Sequence, residues 1–327
     1  MSLDPDGLIM ANTDHVTRLN DAGVARWEYP SPGERNPQLQ FYAAPAVTED
    51  VVYVGGYDHK IYALNRDNGQ PIWINETDGT SRIIGGLVLG DGKVLVGMSD
   101  HGLLALDQRT GEKVWIFDTQ QGVWAAPLVV DDVVYIPAMD KHLYAVDLNT
   151  GEELWRQNLG GALAGTPAYG DGALYIGTFA HEVYKLDASD GTVLGSFETS
   201  AWVWGGPALV DGTLFFGDLK GNLFALEAET MTPIWQRQVA REAIRSTPLV
   251  VGDLVIVGSR DDNLYAVNAQ NGTPVWQQAA GGDVLGNLLL LNDETIVITT
   301  LAPERQLVAY DLEGQEVWVY PPVTASQ

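Results

Sequence analysis

Ala126-Pro127-Leu128-Val129-Val130-Asp131-Asp132-Val133-Val134-Tyr135-Ile136 opens the stretch that decides the fold. It continues through Asp140-Lys141-His142, Leu143-Tyr144-Ala145-Val146-Asp147 and Asn149-Thr150-Gly151 to Glu153-Leu154-Trp155-Arg156. Four short runs rich in β-branched and aromatic residues alternate with Asp, Asn and Gly. Such runs read as strands and such punctuation as tight turns. The spacing predicts a four-stranded antiparallel meander. Gly151, four residues before Trp155, suits the left-handed position that follows a type I turn.

The same unit recurs along the chain. Trp27, Trp73, Trp115, Trp155, Trp235, Trp276 and Trp318 mark it at intervals of about forty residues, and Gly195 occupies the position where one more Trp is due. Blade 2 reads Ala44-Pro45, Tyr53-Val54-Gly55, Ile61-Tyr62-Ala63-Leu64-Asn65, Gly69, Trp73; blade 7 reads Thr247-Pro248, Val255-Ile256-Val257-Gly258, Leu264-Tyr265-Ala266-Val267-Asn268, Gly272, Trp276. The expectation is an all-β, eight-bladed β-propeller forming one domain over 1–327, with blades near 1–35, 36–80, 81–120, 121–161, 162–200, 201–242, 243–282 and 283–327. First strands carry small residues and Pro (Gly206-Pro207, Thr166-Pro167) because they crowd around an axis. The Trp of each fourth strand is expected to pack between blades. One isolated meander would be marginal, and neighbours remove that deficit. Blade 1 is expected to be completed where the termini meet, by Ser2-Leu3-Asp4 or by a returning Pro322-Val323-Thr324.

Two departures stand out, Gly195 for Trp and Met231 for the turn Gly. The first leaves either a gap in the fifth blade or room for a neighbour's side chain. Arg18 and Lys185 interrupt third strands and are expected to snorkel outward.

A net charge of −25 and a pI near 4.3 argue against nucleic acid and anionic membrane as partners, which call for clustered Lys and Arg. With no Cys, disulfides, thiolate metal sites and cysteine nucleophiles are excluded. No signal peptide or membrane span is evident. The chain opens in mid-repeat, Met1-Ser2-Leu3-Asp4-Pro5-Asp6-Gly7 aligning with Ala168-Tyr169-Gly170-Asp171-Gly172, so a native leader is expected upstream.

The run Val-Tyr-Val-Gly, then Leu143-Tyr144-Ala145-Val146-Asp147, then Thr110-Gly111-Glu112-Lys113-Val114-Trp115 resembles the PQQ-type repeat of quinoprotein propellers. The resemblance covers essentially the whole chain and implies the eight-bladed fold. One branch of that superfamily, the PQQ-dependent alcohol dehydrogenases, implies a PQQ cofactor with calcium and commonly a vicinal disulfide. This chain has no Cys and no insertion large enough to roof a cofactor. The compact branch is similar to BamB, a lipoprotein of outer-membrane barrel assembly. It implies a non-catalytic scaffold, no bound cofactor, protein or peptide partners, a monomer, and a periplasmic or cell-surface location. A ligand-sensing extracytoplasmic domain of a larger membrane protein is a further alternative.

Candidate chemistry divides between two sets of turns. His15, His59, His101, His142 and His181 all fall in or beside turns between second and third strands. Such turns on neighbouring blades lie too far apart to share an ion whose ligands stand at about 2.1 Å. Filling positions of positive φ is the simpler reading. The links entering the first strands place Tyr42, Ile84, Trp124, Ala164, Trp204, Arg245 and Leu285 at one equivalent position, with Arg82 and Trp202 two residues earlier and Arg241 nearby. Tyr42, Arg82, Trp124, Trp202, Trp204, Arg241 and Arg245 are therefore the candidate ligand- or partner-binding residues, set at a channel mouth. Aromatics and arginines dominate binding hot spots. The competing reading is that Trp124 and Trp204 plug a wide channel. Two longer segments, Tyr29–Pro37 and Leu301–Arg305, belong to the same face, where binding loops on a rigid scaffold would sit. No catalytic or metal motif is evident.

Overall fold

In the computed structural model, residues 1–34, 39–77 and 81–322 are described. They form eight four-stranded antiparallel sheets, each a simple meander in chain order, with one short 3-10 turn at Pro32–Glu34. This is the all-β, eight-bladed propeller class expected from the sequence. The strands at the centre of the deciding stretch are Leu128–Val130, Val133–Pro137, His142–Asp147 and Glu153–Asn158. The first blade's inner strand is Ser2–Asp4, with Ser2 opposite Ile9. The alternative closing segment, Pro322-Val323-Thr324, falls almost wholly outside the described residues.

The chain forms two compact units, Met1–Asn158 with Ala162–Ala164, and Leu159–Gly161 with Gly165–Gln327. The first holds the sheets spanning 2–29, 46–76, 88–117 and 128–158. The second holds those spanning 168–198, 208–238, 249–279 and 289–320.

Burial follows strand rank. Second and third strands are buried on both faces, as in Val133–Pro137 and His142–Asp147, while fourth strands such as Glu153–Asn158 alternate between exposed and half-buried. The cores lie between blades. In the first unit one cluster joins Tyr53, Ile61 and Ala63 to Val94, Val96 and Leu104. In the second, Phe215, Leu223 and Trp235 meet Val255, Val257 and Tyr265.

Within each unit the fourth-strand Trp residues Trp27, Trp73, Trp115, Trp235 and Trp276 complete the blade that follows. Trp27 donates its indole N–H to the carbonyl of Arg66 (2.7 Å), Trp115 to that of Leu148 (3.0 Å) and Trp235 to that of Ala269 (2.8 Å). The turn Gly of the next blade lies against the same ring. Gly151 has φ 71°, and a Cβ there would stand 2.7 Å from Trp115. Glycine is thus fixed twice, by a left-handed backbone and by an indole that leaves no room. The turn is built by Asp147, whose carboxylate accepts from the N–H groups of Asn149 and Thr150. A bulge follows the Ala145–Trp155 pair and recurs at the same place in all eight sheets.

The fifth blade shows how the pattern survives its own exceptions. Met231, at φ 58°, approaches the place left by the missing indole, and a Cβ on Gly195 would stand 3.4 Å from its Cγ. The neighbour's side chain, not a gap, adjoins Gly195. Lys185 pairs with Gly195 across the ladder, where most other blades pair Ala with Trp. Contrary to the sequence expectation, neither Lys185 nor Arg18 snorkels outward: they are only 7% and 3% exposed. The following blade packs over the third strand, so the long chain runs sideways to that blade's turn. Lys185 Nζ reaches the Glu229 carbonyl at 2.9 Å, and Arg18 reaches the Arg66 carbonyl at 3.2 Å. Arg18 and Arg66 also clasp Asp4, at 3.0 and 2.5 Å, with Asp6 alongside.

Candidate functional site

The link face is built from one repeated backbone device. Within each unit the links run extended past two turns between second and third strands and bond to both. In the second unit Val203 N–H donates to the Thr178 carbonyl (3.1 Å), and Leu219 N–H donates to the Trp202 carbonyl (3.0 Å). Ile244 and Arg260 repeat this with Asp218 and Ala243. In an extended chain successive side chains alternate. Ile83, Val123, Val203 and Ile244 point inward and are fully buried, while Arg82, Trp124 and Trp202 beside them are exposed.

In five links the buried residue seats on the Gly that ends a second strand: Ile83 on Gly55, Val123 on Gly97, Val203 on Gly177, Ile244 on Gly217 and Val284 on Gly258. At Gly217 a Cβ would stand 2.3 Å from Ile244 Cγ2, and at Gly177 it would stand 2.2 Å from Val203 Cγ1. The Gly ending each Val-Tyr-Val-Gly run is therefore the socket that fixes the link.

The turns are pinned from the other side. Tyr144 and Tyr265 donate to Asp140 and Asp261, four residues before them, at 2.7 and 2.8 Å. Burial, then the bond to Asp261, push the Tyr265 hydroxyl up to about 12. Burial alone would raise the Asp261 carboxyl, yet the Arg241 N–H and the Tyr265 hydroxyl hold it below its ordinary value. The Asp-x-x-x-Tyr spacing was present in the sequence and went unread. Of the five histidines, His59 and His181 occupy left-handed positions at φ 68° and 67°, as expected of turn residues, whereas His15, His101 and His142 do not. Among the described residues, no three His, Asp or Glu side chains gather to hold a metal ion.

Within the first unit the candidate residues Tyr42, Arg82 and Trp124 form one shelf. Tyr42 meets Tyr57 edge-on at 4.9 Å, and the Arg82 guanidinium lies 4.8 Å over the Tyr57 ring. Arg82 N–H donates to the Ser99 hydroxyl, and Trp124 donates its indole N–H to the Ser99 carbonyl at 3.1 Å. Tyr42 and Trp124 remain 52% and 40% exposed.

Within the second unit Phe179 stacks on Trp202 at 4.7 Å, with the planes 6° apart, and touches Trp204 at 5.1 Å. Arg245 lies 4.4 Å over the Trp204 ring. Trp202 is 44% exposed. Arg241 lies on the rim of a groove next to this shelf. Phe179 is the member that sequence reasoning missed, because the turn it occupies was read only for its histidine. Of the two longer segments, Leu301 is exposed, and Arg35 to Pro37 lie outside the described residues.

A family model described as outer membrane protein assembly factor BamB matches residues 6–84, 59–178, 139–258 and 242–326. The structure of BamB from Moraxella catarrhalis is similar with a TM-score of 0.80 at 22% identity, over 94% of this chain and 92% of that one. The computationally designed Ika8 protein is similar at 0.80 and 15% identity, over 95% of each chain. The quinohemoprotein alcohol dehydrogenase ADHIIG from Pseudomonas putida HK5 is similar at 0.76 and 16%, over 98% of this chain and 75% of that one. At these identities the likenesses carry the fold alone. No curated protein sequence matches significantly.

Proposed function

Because the chain belongs to the family of the outer membrane protein assembly factor BamB, we propose that it is a non-catalytic docking propeller that engages other proteins through its link face, in an extracytoplasmic setting of outer-membrane protein assembly. The observation that carries this reading is the pinned display of Tyr42, Trp124 and Trp202, each at least 40% exposed, on segments whose backbones are bonded on both sides. Large exposed aromatics held rigidly are suited to hot spots, since little side-chain freedom is lost on docking. No helix among the described residues is long and apolar enough to cross a membrane.

A photo-crosslinking amino acid placed at Trp124 or Trp202 tests the proposal in cells. Cross-links to a barrel-assembly component are expected from both positions. None are expected from Asp131 or Asp211, which lie in turns between first and second strands. Equal yields from both sets of positions, or none from either, would sink the docking reading.

A further inference from the structure

In the second unit one groove on the link face carries a local charge opposite to that of the chain. Overall there are 18 Lys and Arg against 43 Asp and Glu. Yet a groove of about 610 Å³ beside the Trp202 shelf is lined by Lys220, Arg241 and Arg260, with Glu242 its one acidic lining residue. A volume of this order suits a ligand or a few side chains. Arg260 is paired with Asp283 at 3.3 Å. Lys220 is held through the Ser200 carbonyl, and Arg241 through its backbone N–H, which donates to Asp261. Among the described residues, Lys220, Arg241 and Arg245 have no carboxylate within ion-pair distance of their charged groups.

Arg245 adds an independent sign. Its Nε is buried and has no acceptor, while its guanidinium lies over Trp204. A buried donor left unmade is costly, so this guanidinium is held at a strained, positively charged spot of the shelf. Burial, then the neighbouring Arg260, lower this guanidinium from its ordinary value, against the pull of Asp283. A carboxylate brought near this face would favour the charged guanidinium, as Asp283 already does. Arginine offers it paired donors in a fixed fork.

We propose that this groove and shelf bind an extended acidic segment of a partner protein, its carboxylates over Lys220, Arg241 and Arg260 and an apolar or aromatic side chain on Phe179 and Trp202. This rests on the docking reading and narrows it to a chemistry. It also solves a problem that the docking reading leaves open. A chain of net charge −25 repels acidic partners at long range, so recognition must come from a local, charge-matched seat.

The probe is a short fluorescent peptide of Asp and Glu containing one Phe, titrated against the whole chain by anisotropy, beside its Asn/Gln counterpart. The acidic peptide is expected to bind at least about tenfold tighter than the neutral one, and Arg241→Gln with Arg260→Gln to weaken it by about tenfold. The melting temperature should be unchanged, since both side chains are exposed. Trp202→Ala should weaken both peptides. Equal binding of the two peptides, indifference to the paired Arg substitutions, or tighter binding of a single-stranded oligonucleotide would overturn the proposal. Cross-linking from Trp124, which lies in the other unit, keeps the two readings apart. If it persists while the acidic peptide fails, only the acidic chemistry falls; if both fail, docking falls with it.

Discussion

Met231 holds φ 58° where the other blades place glycine, a backbone region that costs a non-glycine residue about 1–3 kcal/mol. The cost is tolerated because its side chain adjoins the position that Gly195 leaves bare. The two departures therefore form a pair. Gly195→Trp alone should clash with Met231, and Met231→Gly alone should relieve the backbone but open a hole. Gly195→Trp with Met231→Gly should restore the standard pairing, with a coupling energy of about 1–3 kcal/mol in a double-mutant cycle read by urea unfolding. Additive effects would show that the residues are independent. Asp4 makes a second residue-scale case. Its burial would raise the carboxyl, but Arg66 and Arg18 hold it below the usual value. A carboxyl lowered on folding adds stability that is fully present above its unfolded pKa, about 3.9, and disappears as pH falls through the folded value. Asp4→Asn should cost about 3 kcal/mol at neutral pH by stranding two buried guanidinium groups. The gap from the parent chain should close below about pH 4. A gap that stays constant with pH would refute this. Neither case was legible beforehand. The sequence showed that Gly195 and Met231 were odd, but not that one answers the other.

At the scale of elements, strands and turns were largely legible, because Asp/Asn/Gly punctuation and the Ala–Trp register repeat in chain order. The outward reading of Arg18 and Lys185 failed for a physical reason. Alternation along a strand separates core from solvent only when one face is wet, and third strands here are buried on both. The socket beneath these links was also missed, since Gly217 and Ile244 are far apart in sequence and meet only across blades. Gly217→Ala tests that socket. A Cβ placed 2.3 Å from Ile244 Cγ2 must push the link outward, at about 1–3 kcal/mol for overpacking. A lowered urea midpoint is expected, together with weaker cross-linking from Trp202 as the displayed link shifts. A midpoint like that of the parent would mean that the link yields freely and that its rigidity is not set there.

Across the whole molecule, the family was legible from the repeat, whereas the partner was not, because a repeat records how blades fit one another and not what their links touch. The same fold serves a designed protein and a quinohemoprotein dehydrogenase, so activity must be tested directly. Adding PQQ and Ca²⁺ is expected to give no thermal shift and no dye reduction with alcohols. Turnover under those conditions would favour the enzymatic alternative over docking. The candidate site was half legible: sequence spacing found Tyr42, Trp124, Trp202 and Arg245, but not the stacking of Phe179 on Trp202.

The fit of each indole under the next copy's glycine has a consequence for engineering and for ancestry. Trp27 lies against Gly69, Trp73 against Gly111, Trp115 against Gly151, Trp235 against Gly272 and Trp276 against Gly314. The natural module is therefore staggered by one copy, running from one tryptophan to the glycine that roofs it. A gene duplication or a splice cut between one sheet and the next severs that module and strands a ring in water; one cut in the turn between third and fourth strands, just after the glycine, carries it whole.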